Sequence, residues 1–153
     1  MVDKRLMQEV SRLLGQFSLS RDWLTAGSVS AALLTPSGHV YSGICLDLAC
    51  GIGFCAEHAA IADMLKARET VIESIVALRA DGIVPPCGRC RELMMQVDRA
   101  NRHTCVWVSD SQAIALGDLL PQSWMEWEQC RHPQWISIFF IVPIEPLAKG
   151  FQR

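Results

Sequence analysis

The sequence predicts an α/β fold: a three-layer α-β-α sandwich around a mixed sheet of about five strands. One reason is the order of apolar patterns, which alternate between helical and strand periodicity as α-β-β-α-β-α-β-β. Another is size, because 153 residues, of which 50% are hydrophobic, suffice for one buried core. We therefore expect one main domain at residues 1–128, followed by an apolar extension at residues 129–153.

The N-terminal part is predicted to contain a helix and a β-hairpin. Apolar residues at helical spacing predict a helix over Lys4–Phe17. Small and apolar residues predict a strand at Ser28–Thr35, and the turn residues Pro36–Gly38 connect it to a returning strand at His39–Leu46. Two glycines favour a loop over Asp47–Phe54.

The following segments predict two more helices and three more strands. The alanine-rich stretch Cys55–Arg68 is typical of a helix, and β-branched residues predict a strand at Val71–Ala80. A further helix is expected at Gly88–Arg99, then strands at Thr104–Asp110 and Ala113–Leu116.

The extension at residues 129–153 contains the apolar run "WISIFFIVPIEPL" after an otherwise complete domain. Two interpretations stay open, an added edge strand packed on the same domain and an oligomer contact. The longest apolar stretch, Ile136–Ile144, is too short to span a bilayer, so no membrane partner is expected.

Charge and cysteine usage narrow the function classes. The formal net charge is −2 and no basic run is present, which argues against a nucleic-acid polymer as partner. Seven cysteines and an N-terminus without an apolar export segment favour a reducing, cytoplasmic setting with free thiols.

Three cysteines are candidate ligands of a zinc ion. Cys87 and Cys90 form a Cys-x-x-Cys pair at a predicted helix start, and Cys55 begins another helix. Thiolates suit Zn²⁺, and three protein ligands leave a fourth position open. Helix N-termini favour the thiolate form at Cys55 and Cys87.

Glu57 is the candidate catalytic residue. It lies two residues after Cys55, so it points in a different direction along the helix and need not be a ligand. A carboxylate beside an open coordination position can accept and return protons.

Two other interpretations of these residues remain. The Cys-x-x-Cys pair is also typical of a redox motif, which would leave Cys55 and Glu57 unexplained. A closed structural zinc site would need a fourth ligand, for which Cys45, Cys50, Cys105 and the four histidines are candidates.

The stretches "CAE" at 55–57 and "PCGRCRE" at 86–92 resemble the zinc-dependent cytidine deaminase superfamily, in particular small cytidine deaminases and blasticidin S deaminase. The resemblance extends over about residues 29–127. It implies zinc as cofactor, Glu57 as proton carrier, and hydrolysis of the exocyclic amine of a cytosine nucleoside to the uracil form with release of ammonia. It also implies a small-molecule substrate and a homotetramer or homodimer.

The substrate-binding residues implied by the resemblance are Ser28, Asp47, Ala56 and Trp124. Relatives carry an Asn-x-Glu pair for the ribose hydroxyls where this chain has Cys45 and Asp47. We therefore expect relaxed selection of the sugar. Relatives also carry an arginine that compensates the thiolate charge where this chain has His58.

Other functions stay open beside this one. A non-catalytic zinc-binding relative would not need Glu57. A deaminase of another nucleobase is a further alternative. A deaminase that edits a base within RNA or DNA more often has a histidine as first ligand and a basic face.

Overall fold

Four α-helices and seven strands form the part of the chain that the structure describes, residues 1–125 of a computed structural model. The helices are α1 (Lys4–Leu13), α2 (Ala56–Lys66), α3 (Gly88–Val97) and α4 (Leu116–Leu119). The strands are β1 (Phe17–Ser18), β2 (Thr25–Leu34), β3 (Val40–Asp47), β4 (Ser74–Arg79), β5 (Gly82–Ile83), β6 (Cys105–Trp107) and β7 (Ala113–Ala115).

The sheet is mixed and has five principal strands in the order β3-β2-β4-β6-β7. Only the β4–β6 pair is parallel among the described strands, and α3 lies in the connection between them. The short strands β1 and β5 add antiparallel pairs to β2 and β4. The predicted mixed α/β sheet is therefore confirmed, and the two short strands are additions to it.

Strand β2 is buried on both faces and separates two apolar clusters. Ala31 and Leu33 pack with residues of α2 and α3, whereas Ala32 and Leu34 pack with Leu6 and other residues of α1. Successive side chains of a strand point to opposite faces, so this alternation places helices on both sides. The layers are α1, the sheet, and α2 with α3, as the sequence predicts.

Helix α1 is shorter than the sequence predicts. It ends at Leu13, and Leu14 is already extended, whereas the apolar spacing predicted a helix up to Phe17. Phe17 instead pairs with Ala26 in β1 and is 51% exposed. Sheet pairing overrides the helical spacing here. The buried Ser30 hydroxyl donates a hydrogen bond of 2.7 Å to the Val10 carbonyl near the helix end.

Helix α2 lies directly against β3 at a glycine. A Cβ atom at Gly43 would overlap the Ala59 side chain and lie 2.6 Å from the backbone nitrogen of Ala60. Only glycine permits this approach without displacement of the helix. The contact matters because the first turn of α2 carries Glu57, and Cys55 is its N-cap.

The connection from α3 to β6 is held by one buried amide. Asn101 accepts a hydrogen bond from the Ile72 backbone N–H at 2.7 Å. Its side-chain nitrogen donates to the carbonyls of Thr70 and Met94 at 3.0 and 2.9 Å. This residue joins the last turn of α3 to the segment that enters β4.

The chain divides into two units, Met1–Ser123 and Trp124–Arg153. Trp127 and the extension at residues 129–153 lie outside the described residues, so the edge-strand and oligomer interpretations stay predictions. Within residues 1–125, no helix combines the length and the hydropathy that crossing a bilayer requires.

Candidate metal and catalytic site

The N-terminal ends of α2 and α3 bring three cysteines together. Cys55 and Cys87 are the N-cap residues of these helices, and Cys90 lies in the first turn of α3. The Sγ atoms of Cys55 and Cys87 are 3.7 Å apart, and those of Cys87 and Cys90 are 3.4 Å apart. All three sulfur atoms lie within 4.8 Å of one another.

This donor set fits a tetrahedral ion with soft ligands. Zn–S bonds of about 2.3 Å in a tetrahedron place the sulfur atoms about 3.8 Å apart. The sulfur spacings at Cys87 are close to that value. The cluster could therefore hold a metal ion. No other group of this kind exists among the residues that the structure describes.

The three thiols differ in electrostatic environment. Burial raises the pKa of the Cys55 and Cys90 thiols above the ordinary value. Burial acts in the same direction at Cys87, but nearby backbone N–H groups and the neighbouring thiols outweigh it and lower its pKa. Cys55 is also an N-cap, but burial dominates there, whereas the backbone N–H groups of Arg89 and Cys90 stabilise a negative charge on Cys87.

Glu57 is 5% exposed and lines the same cavity as Cys55 and Cys87. Burial raises the pKa of its carboxyl group, while its own backbone N–H and the Cys90 thiol act in the opposite direction. A buried carboxyl with a raised pKa beside a thiol cluster has the properties of a proton carrier.

A cavity of about 450 Å³ opens in front of the cysteines. Its walls combine the start of α2, the end of β3, the loop after β3 and the start of α3; they include Asp47, Phe54, Ala56, Glu57, Val84 and Arg89. The volume falls in the range of small-molecule sites. Of the predicted substrate-binding residues, the structure thus places Asp47 and Ala56 on the cavity wall.

Ser28 lies behind that wall and orients Asp47. Its hydroxyl donates a hydrogen bond to Asp47 Oδ2 at 2.9 Å and lies 3.1 Å from Cys45 Sγ. The Val29 backbone N–H donates to the same sulfur at 3.2 Å. The Cys45 thiol also lies 3.7 Å from Asp47 Oδ2, to which it can donate its proton. Ser28 is therefore a neighbour of the cavity rather than part of its lining.

Trp124 belongs to the second unit and is 53% exposed. Its predicted role as a wall for the ligand stays a prediction.

Arg91 is a supporting residue that sequence reasoning missed. Its guanidinium donates to the carbonyls of Pro86 and Leu119 at 2.8 and 3.0 Å. It therefore fixes the residue before Cys87 against α4. The only sequence signal is its position one turn after Cys87 in the second half-motif.

His58 follows Glu57 on α2. Burial and the charge of Arg89 lower the pKa of its imidazole. Its Nε2 atom is buried and has no hydrogen-bond partner among the described residues.

Comparison with known proteins finds relatives by sequence and by structure, although no family model matches the chain. A cytidine deaminase of Halalkalibacterium halodurans is 34% identical over 99 residues, which are 61% of this chain and 74% of the relative. Among solved structures, cytidine deaminase from Mycobacterium tuberculosis has a TM-score of 0.66 at 22% identity, covering 81% of this chain and 98% of its own. The Burkholderia pseudomallei cytidine deaminase has a TM-score of 0.64 at 24% identity, covering 80% and 99%. The sequence match shows the family and the structural matches show the fold: the chain belongs to the cytidine deaminase family, whose members are hydrolytic enzymes that act on C–N bonds.

Proposed function

We propose that this protein is a zinc-dependent deaminase that hydrolyses the exocyclic amine of a cytosine nucleoside. The observation that carries the proposal is a cluster of three cysteine thiols, two of which, Cys55 and Cys87, line one small-molecule cavity together with the buried Glu57 carboxyl. Family membership supports the same reaction class.

Cys55, Cys87 and Cys90 would hold the zinc ion. When bound, zinc would supply Lewis-acid activation of water at neutral pH. The helix starts at α2 and α3 and the Arg89 side chain on the cavity wall offset the negative charge of three thiolates.

Glu57 moves the protons. Its carboxylate accepts a proton as water attacks the ring carbon that carries the amine, and it returns protons to the ring nitrogen and the leaving amine. Water and the cytosine nucleoside thus give the uracil nucleoside and ammonia, with Glu57 regenerated. The burial of Glu57 keeps bulk water from competing for these transfers.

The end of the cavity near β3 determines the selection of the sugar. Asp47 offers its second carboxylate oxygen to a ligand, because Ser28 already uses Oδ2. The Cys45 sulfur is hydrogen-bonded to Ser28 and to the Val29 N–H. A thiol cannot replace both the donor and the acceptor of the asparagine amide that relatives carry at this position. We expect cytidine, deoxycytidine and cytosine nucleosides with a modified sugar, such as blasticidin S, to be accepted.

The decisive experiment combines metal analysis with an absorbance assay of a substrate panel. Protein purified without chelator should contain one zinc ion per chain and should deaminate at least one of cytidine, deoxycytidine, blasticidin S and an N4-substituted cytidine. Adenosine and guanine are the contrasting substrates. Absence of zinc would overturn the metal assignment, and activity only on a purine would overturn the cytosine assignment.

Zinc without turnover on any of these compounds would favour a non-catalytic binding protein. The cytoplasmic setting and the assembly as a homotetramer or homodimer remain parts of this proposal. Sedimentation of the purified protein distinguishes the two assemblies from a monomer.

A further inference from the structure

Strand β2 contains a bulge beside the cavity at Glu57. Its register with β3 shifts between Ala26 and Ser30, and the three residues 27–29 lie opposite the single residue Cys45. Extra residues in a bulge leave the hydrogen-bond ladder and turn side chains in new directions, often next to active sites. The groups that hold this bulge therefore determine what it presents to the cavity.

Gly27 is the first residue of the bulge and is fixed against the segment after α1. Its φ angle is 78°, in the left-handed region that favours glycine. A Cβ atom at this position would overlap the Gly15 carbonyl oxygen, and the Gly15 N–H donates a hydrogen bond of 3.1 Å to the Gly27 carbonyl. This end of the bulge is therefore held by backbone contacts.

The other end of the bulge is held by the Cys45 side chain. Its sulfur accepts a hydrogen bond of 3.2 Å from the Val29 backbone N–H and lies 3.1 Å from the Ser28 hydroxyl oxygen. The same sulfur lies 3.7 Å from Asp47 Oδ2, which also accepts the Ser28 hydroxyl at 2.9 Å. One sulfur atom, in a residue that is 5% exposed, thus joins the bulge of β2 to the carboxylate at the end of β3.

The Asp47 carboxylate depends on this cluster for its direction. Val29, Cys45 and Asp47 line the cavity at Glu57, and Asp47 is the exposed member of the three. Both of its neighbours in the cluster, the Ser28 hydroxyl and the Cys45 thiol, meet the same oxygen, Oδ2. The other carboxylate oxygen is left for a ligand in the cavity.

We propose that Cys45 is a positioning residue for the sugar end of the substrate. Anchored by the Val29 N–H, its thiol holds the Asp47 carboxylate in the orientation that receives a sugar hydroxyl. The inference rests on the function proposed above, and it assigns to Cys45 an action through Asp47 rather than a bond of its own to the sugar. A thiol suits this role because it accepts from an N–H and also carries a proton for an oxygen.

Replacement of Cys45 separates positioning from a general effect on folding. Cys45→Ala removes the acceptor and the donor, so KM for the best nucleoside of the panel should rise by about three- to tenfold, the range of one ordinary hydrogen bond. The value of kcat should change by less than about twofold. Cys45→Ser keeps an acceptor and a donor and should recover most of the loss. Cys105→Ala, which changes a partly buried free cysteine of β6 outside the cavity wall, is the matched control.

Asp47→Asn tests the route of the effect. The amide keeps the size of the side chain but loses the carboxylate, so this variant should itself raise KM. In the Asp47→Asn background, Cys45→Ala should raise KM by less than about twofold more, because the group through which Cys45 acts is already impaired. A full additional three- to tenfold rise, equal to the effect in the wild-type background, would overturn the proposal.

A measurement of the anchor needs no substrate. The Val29 backbone N–H should exchange with solvent about fivefold faster or more in Cys45→Ala, because one hydrogen bond is lost. It should stay protected in Cys45→Ser and in Cys105→Ala. Hydrogen exchange followed by NMR measures this, and equal exchange in the wild type and in Cys45→Ala would overturn the proposal whatever the activity.

Failure of this inference is distinguishable from failure of the proposed function. A wild-type protein that turns over no nucleoside of the panel would overturn the proposed function, and the positioning role with it. Normal turnover with an unchanged KM in Cys45→Ala would overturn the positioning role alone. A loss confined to kcat would also overturn it, because Cys45 would then act on the reaction rather than on the sugar.

Discussion

Glu57 is 5% exposed and yet lies on a cavity wall beside three cysteines. Burial of a carboxyl group costs folding free energy because it disfavours the charged form. A carboxyl group that stays buried on a cavity wall is therefore a candidate for a functional role. Replacement by the isosteric amide removes the proton-carrying group while it preserves the shape.

Glu57→Gln should keep the fold and the zinc but lower kcat by at least about a hundredfold, the low end for a lost general acid–base. Zinc content, circular dichroism and turnover are measured together. Glu73→Gln changes an exposed glutamate outside the cavity that Glu57 lines and serves as the control. Turnover near that of the wild type would show that another residue carries the protons.

Ser28 is expected to act through Asp47. Ser28→Ala removes the hydrogen bond of 2.9 Å that orients the carboxylate. KM for nucleosides should therefore rise by about three- to tenfold, the range of one ordinary hydrogen bond. The value of kcat should fall much less than in Glu57→Gln.

Ser42→Ala is the matched control for Ser28→Ala. Ser42 lies on β3, and its hydroxyl donates to Glu9 on α1 at 2.7 Å, away from the cavity. If both serine variants have the same KM, Ser28 has only a structural role.

At this scale the sequence specifies the cysteine cluster well, because each half-motif places its cysteines at a helix start. The hydrogen bonds among Cys45, Ser28 and Asp47 depend on the register between β2 and β3, which single-residue patterns do not define.

At the scale of elements, the contact between β3 and α2 sets the position of the first turn of α2. Gly43→Ala would force the helix away from the strand, because the added methyl group meets Ala59 and the backbone of Ala60. Overpacking of this kind costs about 1–3 kcal/mol of unfolding free energy.

We expect Gly43→Ala to lower the free energy of unfolding by about that amount in urea titrations, and to weaken zinc retention because Cys55 moves with the helix. Gly15→Ala is the control, since a Cβ at Gly15 meets no atom within 4 Å. Equal stability of the two variants would show that the strand and the helix separate at little cost.

The β2–β3 hairpin is joined to the segment after α2 by Glu69. Its carboxylate accepts hydrogen bonds from Ser37 Oγ at 2.6 Å and Tyr41 OH at 2.8 Å. His39 Nδ1 lies 2.6 Å from Oε1 of the same carboxylate. The Ser37 hydroxyl and the other donors lower the pKa of Glu69 from 4.5 to about 2. Folding therefore favours the ionised carboxylate.

A carboxyl group whose pKa is lower in the folded than in the unfolded state stabilises the folded protein at pH values above its unfolded-state pKa. That contribution is lost as the pH falls from 4.5 toward about 2. Glu69→Gln should thus have a lower Tm than the wild type at neutral pH, and the difference should shrink through this acid range. Thermal unfolding at a series of pH values measures it, with Glu73→Gln as control. A difference that does not vary with pH would contradict the assignment.

The order of the principal elements was predictable, because strand and helix periodicities differ clearly in most segments. Helix α1 was predicted too long because Phe17 continues the apolar spacing of the helix. In the structure Phe17 instead pairs with Ala26 in the sheet. The strands β1 and β5 have two residues each and arise from tertiary pairing, which leaves too few positions for a periodic pattern.

At the scale of the whole molecule, the proposed zinc site links elements that are distant in the chain. Cys55 and Cys87 are 32 residues apart, with β4 and β5 between them. A ligand that binds only the folded state adds to the free energy of unfolding.

Removal of zinc with a strong chelator should lower the Tm, and re-addition of zinc should restore it. The loss should be reduced in Cys87→Ser, which holds the ion with fewer thiols. Differential scanning calorimetry with and without chelator measures the effect. An identical Tm in both conditions would exclude a stabilising metal.

The distance along the chain between the cysteines also orders events during synthesis. Cys87 and Cys90 are always within reach of each other, but Cys55 joins them only after a long loop has closed, at an entropic cost. In a nascent chain, only Cys87 and Cys90 can therefore act together as metal ligands until the starts of α2 and α3 come into contact. Uptake of the proposed zinc ion by all three thiols would then follow tertiary folding, so a bound ion would mark those chains in which the cavity at Glu57 has already been assembled.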